Sequence, residues 1–240
     1  ISLSISKRFV AAKTRNQRVV LQRSIRDHPE KMSKELGRAV AQMSSLEQLA
    51  CTAETKSQLM GIEGKIADLY FHVFGELVLV DDPCFSFEGR NRRPPKDAVN
   101  SLLSLFYSLL SHDVASACNT VGLDPYVGFF HVDRPGRLSL ALDLMEELRA
   151  YLVDRFVLSL INRKQLRTSD FVFEPDGAVF LKASSRKEVI GQWQQRKQKE
   201  LLHPFLKEKV PVGLLPYVQA KLLSRYLRGD IEDYPAFLWR

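Results

Sequence analysis

The chain has 240 residues, 45% of them hydrophobic, and its 35 Lys and Arg against 28 Asp and Glu give a formal net charge of +7. This hydrophobic content is that of an ordinary globular protein and argues against a disordered chain, and no apolar run approaches the roughly 18 residues of a membrane span. The positive charge favours a polyanionic partner, most often nucleic acid, although a soluble basic face without a ligand would give the same balance.

The start of the chain predicts a strand followed by a basic helix. Residues 1–5 alternate apolar residues and Ser, which is typical of the last strand of a preceding unit, and the absence of an initial Met leads us to expect that the chain begins within a longer protein. From Ser6, a plausible N-cap, residues 6–24 form a basic helix that could lie along a phosphate backbone. The first 26 residues contain no acid and seven basic side chains: Lys7, Arg8, Lys13, Arg15, Arg18, Arg23 and Arg26.

Apolar residues recur at helical spacing through residues 29–75, which predicts two or three helices, the last over residues 61–75. That last helix carries Glu63 between residues of its apolar face, flanked by Gly61 and Gly64. Glycine lowers helix stability by ~1 kcal/mol relative to Ala, so its presence usually permits close approach of a backbone or a ligand. The alternative is an N-terminal glutamate favoured by the helix dipole, with Gly61 ending the previous helix.

Residues 81–97 contain three prolines, a glycine and three arginines, which predicts a loop. Asp97 can cap the helix that follows, residues 97–110. Asn100 and Tyr107 could point from one flank of this helix toward a polar site. On spacing alone, a surface amide and a core tyrosine are the alternatives.

The stretch from residue 122 to 149 joins a turn, a lone histidine and a helix that carries carboxylates. Glu146 lies one turn after Leu142 inside an apolar arc, and Asp143 lies at the edge of that arc. A buried ionised carboxylate costs several kcal/mol unless a cation or hydrogen-bond donors compensate it. His131 offers a nitrogen ligand or proton carrier nearby, or is a hydrogen-bonded core histidine.

The remainder of the chain predicts more helix and one hairpin. The helix of the central stretch continues almost apolar on all sides as far as Lys164, so we expect it to be buried. Residues 171–182 alternate on both sides of a Pro-Asp-Gly turn, which predicts a β-hairpin. Residues 185–240 predict basic helices. The three cysteines form no paired motif, which indicates a reducing, cytoplasmic environment.

Three ordered segments, residues 61–71, 89–110 and 122–149, resemble the catalytic part of the CRISPR-associated spacer-acquisition integrases, the Cas-one or Cas1 family. The resemblance covers nearly the whole chain. It implies a mainly α fold: residues 1–5 would be the remnant strand of a small N-terminal β domain, and residues 6–240 a helical, metal-dependent catalytic domain with one small β-hairpin.

The resemblance also implies a set of site residues. Glu63 and His131 match metal ligands of the family, and Asp143 and Glu146 match its acidic pair. Many members have Asp where this chain has Glu146, which is one methylene longer. A divalent cation held by Glu63, His131 and Glu146 would lower the pKa of an attacking hydroxyl, and an oxygen-rich site with one imidazole suits Mn²⁺ or Mg²⁺.

The implied reaction is strand transfer, in which the 3′ hydroxyl of a spacer DNA attacks a phosphodiester of a repeat array. The implied partners are double-stranded DNA, a second copy of the chain, and the small Cas-two (Cas2) adaptation protein that bridges two dimers. Basic residues crowd three segments that we expect to contact duplex DNA: Lys7–Arg26, Arg90–Arg93 and Arg186–Lys199.

Two other functions are compatible with the sequence. One is a metal-independent helical DNA-binding module, in which the carboxylates only pair with Arg137 and Arg149. The other is a metal phosphohydrolase acting on nucleotides, for which the sequence offers neither a Gly-rich phosphate loop nor an aromatic base pocket.

Overall fold

The computed structural model describes residues 2–239 and confirms a mainly helical fold with short antiparallel hairpins. The helices are α1 (Ser2–Asp27), α2 (Lys34–Thr52), α3 (Lys56–Phe74), α4 (Ala98–Thr120), α5 (Ser139–Arg149), α6 (Arg155–Asn162), α7 (Ala183–Lys197) and α8 (Leu215–Leu227). The strands are β1 (Phe171–Phe173), β2 (Val179–Leu181), β3 (Glu200–Leu202) and β4 (Lys209–Pro211). None of the helices in this part of the chain is long and apolar enough to cross a membrane.

Helix α1 packs against α2, α3 and α5, and the site described below is built around it. The predicted N-terminal strand is wrong for residues 2–5, which form the first turn of α1; residue 1 lies outside the described residues. A short apolar alternation also fits a helix, because Ile5 and Phe9, one turn apart, share the buried face of α1. The predicted domain boundary between residues 5 and 6 therefore falls inside a continuous helix.

The basic side chains of α1 do not form one surface. Ser6, the expected N-cap, instead donates its hydroxyl to the carbonyl of Ser2 at 2.8 Å, inside the helix. Lys13 is buried, and Arg18 pairs with Glu47 of α2 at 2.6 Å. Because α1 packs against three helices, only its outward-facing cations can meet a polyanion.

Helix α3 confirms the predicted helix and begins five residues before the predicted start. The hydroxyl of Thr55 caps it by accepting from the amide of Gln58 at 3.2 Å. Glu63 therefore lies in the middle of α3, and the interpretation that Gly61 ends a preceding helix is wrong. A Cβ added at Gly61 or Gly64 would meet nothing within 4 Å, so neither glycine serves a close approach among the described residues.

Residues 81–97 form the predicted loop, apart from one short 3₁₀ turn. Asp97 caps α4 as predicted, because its Oδ1 accepts from the amide of Asn100 at 2.7 Å. The side chain of Asn100 is not a surface amide. It is fully buried, and its Oδ1 accepts from the guanidinium of Arg90 at 2.6 Å.

The predicted long buried helix is present but contains one π-helical turn. Helix α5 ends at Arg149, the π turn covers Ala150–Asp154, and α6 follows. All five residues of the turn are buried. Such turns are frequent at functional sites, because they rotate one side chain out of the regular helical register.

Two hairpins follow α6 where the sequence predicted one. Strands β1 and β2 pair Phe171 with Leu181 and confirm the predicted hairpin, with Gly177 at φ +83° in the turn. Strands β3 and β4 pair Glu200 with Pro211 and were not predicted. Their three-residue length leaves too few positions for an alternating pattern, so the region was interpreted as helical throughout.

The segment after α8 packs onto α1 and α5 through a buried carboxylate. Glu147 accepts hydrogen bonds from the hydroxyl of Tyr234 at 2.5 Å, the amide of Gln219 at 2.8 Å and the backbone amide of Phe237 at 2.7 Å. The side-chain amide of Asn16 donates to the carbonyl of Phe237 at 2.8 Å. The segment is thus tied to the same two helices that carry Lys13 and Glu146.

Candidate metal centre

Three helices bring two carboxylates onto one ammonium. Lys13 of α1 pairs with Oε1 of Glu63 from α3 and lies 2.8 Å from Oε2 of Glu146 from α5. The side chains of Lys13 and Glu146 are only 7% and 4% exposed, whereas Glu63 is 23% exposed. The two glutamates therefore converge on a single positive charge, with Glu63 on the open side.

Arg149 supplies a second positive charge to this cluster. Its Nη2 lies 3.0 Å from Oε1 of Glu146, one helical turn earlier on α5. Burial alone would raise the pKa of Glu146, but Arg149 and Lys13 outweigh it and hold the pKa below its usual value. Burial likewise lowers the pKa of Lys13, while the carboxylates of Glu146 and Glu63 outweigh it and raise the pKa. Lys13 and Glu146 are thus both charged at neutral pH.

His131 is oriented by Asp143, which is completely buried. Oδ2 of Asp143 accepts from the backbone amides of Phe129 and Phe130 at 2.6 and 2.9 Å. Oδ1 of Asp143 accepts from the backbone amide of His131 at 2.9 Å and lies 2.6 Å from its Nδ1. An ionised carboxylate only accepts, so Nδ1 carries the proton and Nε2 is the basic nitrogen.

The four hydrogen bonds fill the acceptor positions of Asp143 and define its role. This carboxylate has no oxygen left to ligate a cation directly. It holds the imidazole of His131, whose Nε2 has no hydrogen-bond partner among the described residues and whose side chain is 20% exposed. His131 lies close enough to Glu146 to help lower the pKa of that carboxyl.

Another buried acid, Asp154, acts electrostatically on Arg149. Asp154, at the end of the π turn, accepts from the hydroxyls of Tyr107 at 2.5 Å and Tyr70 at 2.8 Å. Burial raises the pKa of Asp154 to about 6, although these hydrogen bonds lower it. The guanidinium groups of Arg149 and Arg90 lie over the ring of Tyr107, 4.9 and 5.6 Å from its centroid. Tyr107 thus faces a polar, positively charged flank and is not a purely apolar core residue.

The chemistry of the donors fits a divalent cation. In the present arrangement the ammonium of Lys13 lies between the two glutamates, where such a cation would bind. Two glutamate oxygens already face one cationic atom, and Nε2 of His131 adds an imidazole nitrogen with no hydrogen-bond partner among the described residues, which is a donor set that suits Mn²⁺ or Mg²⁺. Within residues 2–239, no three His, Cys, Asp or Glu side chains form a metal-holding group as they stand. The structure therefore brings Glu63 and Glu146 together and leaves His131 outside their shared contact.

Sequence reasoning missed the cation of this cluster. Lys13 follows Phe9 by one turn on the buried face of α1, so a helical wheel of α1 would have shown a lysine among core residues. The pairing of Glu146 with Arg149, considered in the metal-independent interpretation, is present. An ion pair between Arg137 and these carboxylates is absent among the described residues.

Comparison with known proteins identifies a matching family model and a curated relative. A family model described as CRISPR associated protein Cas1 matches residues 1–195. The CRISPR-associated endonuclease Cas1 2 of Rhodospirillum rubrum is 52% identical over 241 residues, covering 98% of this chain and 70% of that protein. All four of the residues singled out from the sequence, Glu63, His131, Asp143 and Glu146, lie inside the matched range.

Solved structures share the fold. A casposase bound to integration product superimposes with a TM-score of 0.84 at 25% identity, covering 98% of this chain and 64% of the casposase chain. A chain of a Cas6-RT-Cas1--Cas2 complex superimposes with a TM-score of 0.82 at 27% identity, covering 99% of this chain and 25% of that chain. The present chain thus spans less than two thirds of either solved chain.

Proposed function

This chain belongs to the family of CRISPR-associated Cas1 proteins, and from that premise we propose that it provides the catalytic domain of a divalent-metal-dependent DNA integrase. The reaction is strand transfer: a DNA 3′ hydroxyl attacks a phosphodiester of a repeat array, and the displaced strand leaves with a new 3′ hydroxyl. Attack by water on the same phosphodiester accounts for endonuclease activity. The whole domain, residues 6–240, contributes to this activity in our proposal.

One observation carries the proposal: Glu63 and Glu146, 83 positions apart in the chain, converge on a single cationic atom. Nothing local in the sequence brings α3 and α5 to this point. Two carboxylates placed this close repel each other unless a cation separates them, so the fold retains an arrangement that is useful mainly for binding positive charge. Glu63, Glu146 and Nε2 of His131 would hold Mg²⁺ or Mn²⁺ there.

A bound divalent cation would supply Lewis-acid chemistry, lowering the pKa of the attacking hydroxyl and neutralising charge on the phosphate. Several residues of the chain are placed to support this chemistry. Asp143 keeps the proton of His131 on Nδ1 and presents Nε2 outward. Arg149, which pairs with Glu146, and Arg90 both hold their guanidinium groups over Tyr107, where they would bind the oxygens of a phosphodiester.

The proposal that DNA is the substrate rests on charge and on the solved relative. The chain carries +7, and Arg92 and Arg93 lie exposed in the loop that also contains Arg90. The casposase of similar fold was solved bound to an integration product. We therefore propose double-stranded DNA as partner, bound through its phosphates.

The proposal also includes protein partners. A relative of similar fold was solved in a complex that contains Cas2. We propose that this protein likewise works as a homodimer bridged by a small Cas2 protein. Light scattering of the purified protein at micromolar concentration, alone and with Cas2, tests this assembly. A protein that is monomeric and does not bind Cas2 contradicts it.

A strand-transfer assay tests the catalytic proposal. A duplex oligonucleotide with free 3′ hydroxyls is incubated with supercoiled plasmid and protein, in Mn²⁺ or in a chelator. We expect joined, relaxed product only with Mn²⁺, and a loss of about a hundredfold or more for Glu63→Gln, since a ligand to a catalytic cation contributes several kcal/mol. Glu47→Gln is the matched control, because Glu47 also pairs with a cation, Arg18, outside this cluster.

The same assay decides between this function and the metal-independent DNA-binding module. That alternative has one observation in its favour, because Lys13 and Arg149 already neutralise the carboxylates. It predicts equal duplex binding for wild type and Glu63→Gln and no joined product with any metal. Joining that persists in chelator, or in Glu63→Gln, would contradict the metal-dependent mechanism.

A further inference from the structure

The ammonium of Lys13 occupies the point where the two glutamates converge, although it belongs to neither of their helices. We propose that Lys13 is a tethered counter-ion that holds Glu63 and Glu146 in place and is displaced when a divalent cation binds between them. The inference rests on the metal site of the proposed function and adds to it a residue and an exchange of charge. Lys13 is a positioning residue in this scheme, since it acts through the carboxylates.

Charge balance supports the exchange. Glu63 and Glu146 carry two negative charges, and Lys13 and Arg149 carry two positive ones, so the cluster is neutral. Such neutrality is what a nearly buried group of four ions requires. If a divalent cation takes the place of the ammonium, the carboxylates, Arg149 and the cation together carry one positive charge. The single negative charge of a phosphodiester would restore neutrality, so the exchange prepares the site for its substrate.

The two cationic side chains, Lys13 and Arg149, differ in how they are held. Lys13 contacts the glutamates through one compact ammonium at the end of a flexible four-carbon stem. Arg149 is held by Glu146 and also by Tyr107, because its guanidinium lies 4.9 Å from the centroid of the Tyr107 ring. Glu63 is the more exposed carboxylate and gives an incoming cation access to the cluster.

Calorimetric titration of the purified protein with Mn²⁺ tests the exchange without measuring catalysis. Lys13→Met removes the ammonium and keeps an unbranched stem of similar length. We expect Lys13→Met to bind Mn²⁺ on the order of tenfold more tightly than wild type, because no counter-ion has to be displaced. We also expect its metal-free form to melt at a lower temperature than wild type and to regain more stability when Mn²⁺ is added.

Lys197→Met is the matched control. Lys197 forms an ion pair of the same kind with Asp113 at 2.8 Å, outside the cluster. Its replacement should leave the affinity for Mn²⁺ unchanged. Equal or weaker Mn²⁺ binding by Lys13→Met, compared with wild type, would overturn the proposal.

A measurement on the wild-type protein covers the case in which Lys13→Met does not fold. Amines are acylated with an N-hydroxysuccinimide ester, with and without Mn²⁺, and the labelled peptides are quantified by mass spectrometry. Lys13, now only 7% exposed, should become several-fold more reactive in Mn²⁺, while the exposed Lys187 should not change. Unchanged labelling of Lys13 under conditions where Mn²⁺ binds would overturn the proposal.

The outcomes separate this inference from the function on which it rests. If wild type and Lys13→Met bind Mn²⁺ equally, the metal site stands and the counter-ion exchange fails. If neither protein binds Mn²⁺, both fail together.

Discussion

Asp143 uses all of its hydrogen-bonding capacity on one short loop. Its two oxygens accept from three consecutive backbone amides, residues 129–131, and from the Nδ1 proton of His131. This single buried carboxylate therefore fixes both the path of the loop and the tautomer of the imidazole. A residue with this role affects a metal ligand strongly without touching the metal.

Replacing Asp143 with Asn should weaken the site through His131. An amide group presents a donor to backbone donors and no longer enforces the Nδ1 proton, so we expect Mn²⁺ affinity to fall about 10- to 100-fold, as for other outer-shell partners. Stability should fall by about 1–3 kcal/mol because buried donors lose their acceptor. Calorimetric titration and urea unfolding measure the two effects.

Asp133→Asn is the control for this substitution. Asp133 accepts from the backbone amide of Gly128 at 3.0 Å in the same loop but is exposed, so its replacement should change Mn²⁺ affinity little. A wild-type affinity in Asp143→Asn would show that the imidazole does not depend on this carboxylate.

Glu147 should make the protein less stable as the pH rises. Burial raises its pKa to about 7, above the usual 4.5, against the hydrogen bonds from Tyr234, Gln219 and Phe237, which lower it. The folded protein thus binds this proton more tightly than the unfolded chain. The corresponding stability is fully present below pH ~4.5 and is lost as the pH rises through ~7, amounting to a few kcal/mol at most.

The variant Glu147→Gln measures this contribution. It removes the titrating group, so the decline in unfolding free energy between pH 5 and pH 8 should be smaller than in wild type. Other groups, including Asp154, contribute equally to both proteins and cancel in the difference. Parallel stability curves for the two proteins would contradict the assignment.

At the scale of residues, the sequence predicts which acidic residues lie in the site better than it predicts which cations pair with them. Glu146 and Asp143 were recognisable because a carboxylate on an apolar face is rarely accidental. Lys13 was not recognised, since a lysine within a run of seven basic residues is easily taken for part of a charged surface. Which cation meets which carboxylate depends on the packing of α1 against α3 and α5, and spacing within a single helix carries no information about that packing.

At the scale of elements, the middle of α3 offers a clear test. Gly61 and Gly64 lie inside this helix with open space at their Cβ positions. Gly64→Ala should therefore stabilise the protein by about 0.5–1 kcal/mol, the ordinary difference in helix propensity. Urea unfolding measures the change.

Gly75→Ala is the contrasting substitution at the end of the same helix. A Cβ there would lie 2.7 Å from the carbonyl oxygen of Phe87, so this change should destabilise the protein. If Gly64→Ala also lost stability, the space beside α3 would be needed by the folded chain itself. If it gained stability but lost strand transfer, that space would belong to the bound substrate.

The elements themselves were predictable where their patterns are long. Helices α2, α3 and α4 and the hairpin of β1 and β2 follow from periodicity, caps and a Pro-Asp-Gly turn. The strand predicted over residues 1–5 is wrong for residues 2–5. Its pattern is too short to distinguish the two-residue period of a strand from the 3.6-residue period of a helix, and Ile5 packs on the buried face of α1. The hairpin of β3 and β4 was missed for the same reason, since each strand has three residues.

At the scale of the whole molecule, the net charge of +7 predicts salt-sensitive, largely sequence-independent binding to duplex DNA. Fluorescence anisotropy with a labelled duplex at several salt concentrations gives the slope of log affinity against log salt. Replacing the exposed Arg92 and Arg93 together with Gln should reduce the magnitude of that slope by about two, close to one for each phosphate that the variant no longer neutralises.

Arg18→Gln serves as the control in this titration. The guanidinium of Arg18 is already paired with Glu47 at 2.6 Å, so its removal should leave the slope unchanged. An affinity that is the same at low and high salt would contradict phosphate-based binding altogether.

The neutral cluster of Lys13, Glu63, Glu146 and Arg149 has a consequence for the life of the protein in a cell. Because its carboxylates are already compensated, the newly made chain can complete its fold without waiting for a metal ion. If the activity depends on a metal ion as proposed, scarcity of that ion would leave folded but inactive protein that resists proteolysis. Supply of the ion would then activate this protein without new synthesis.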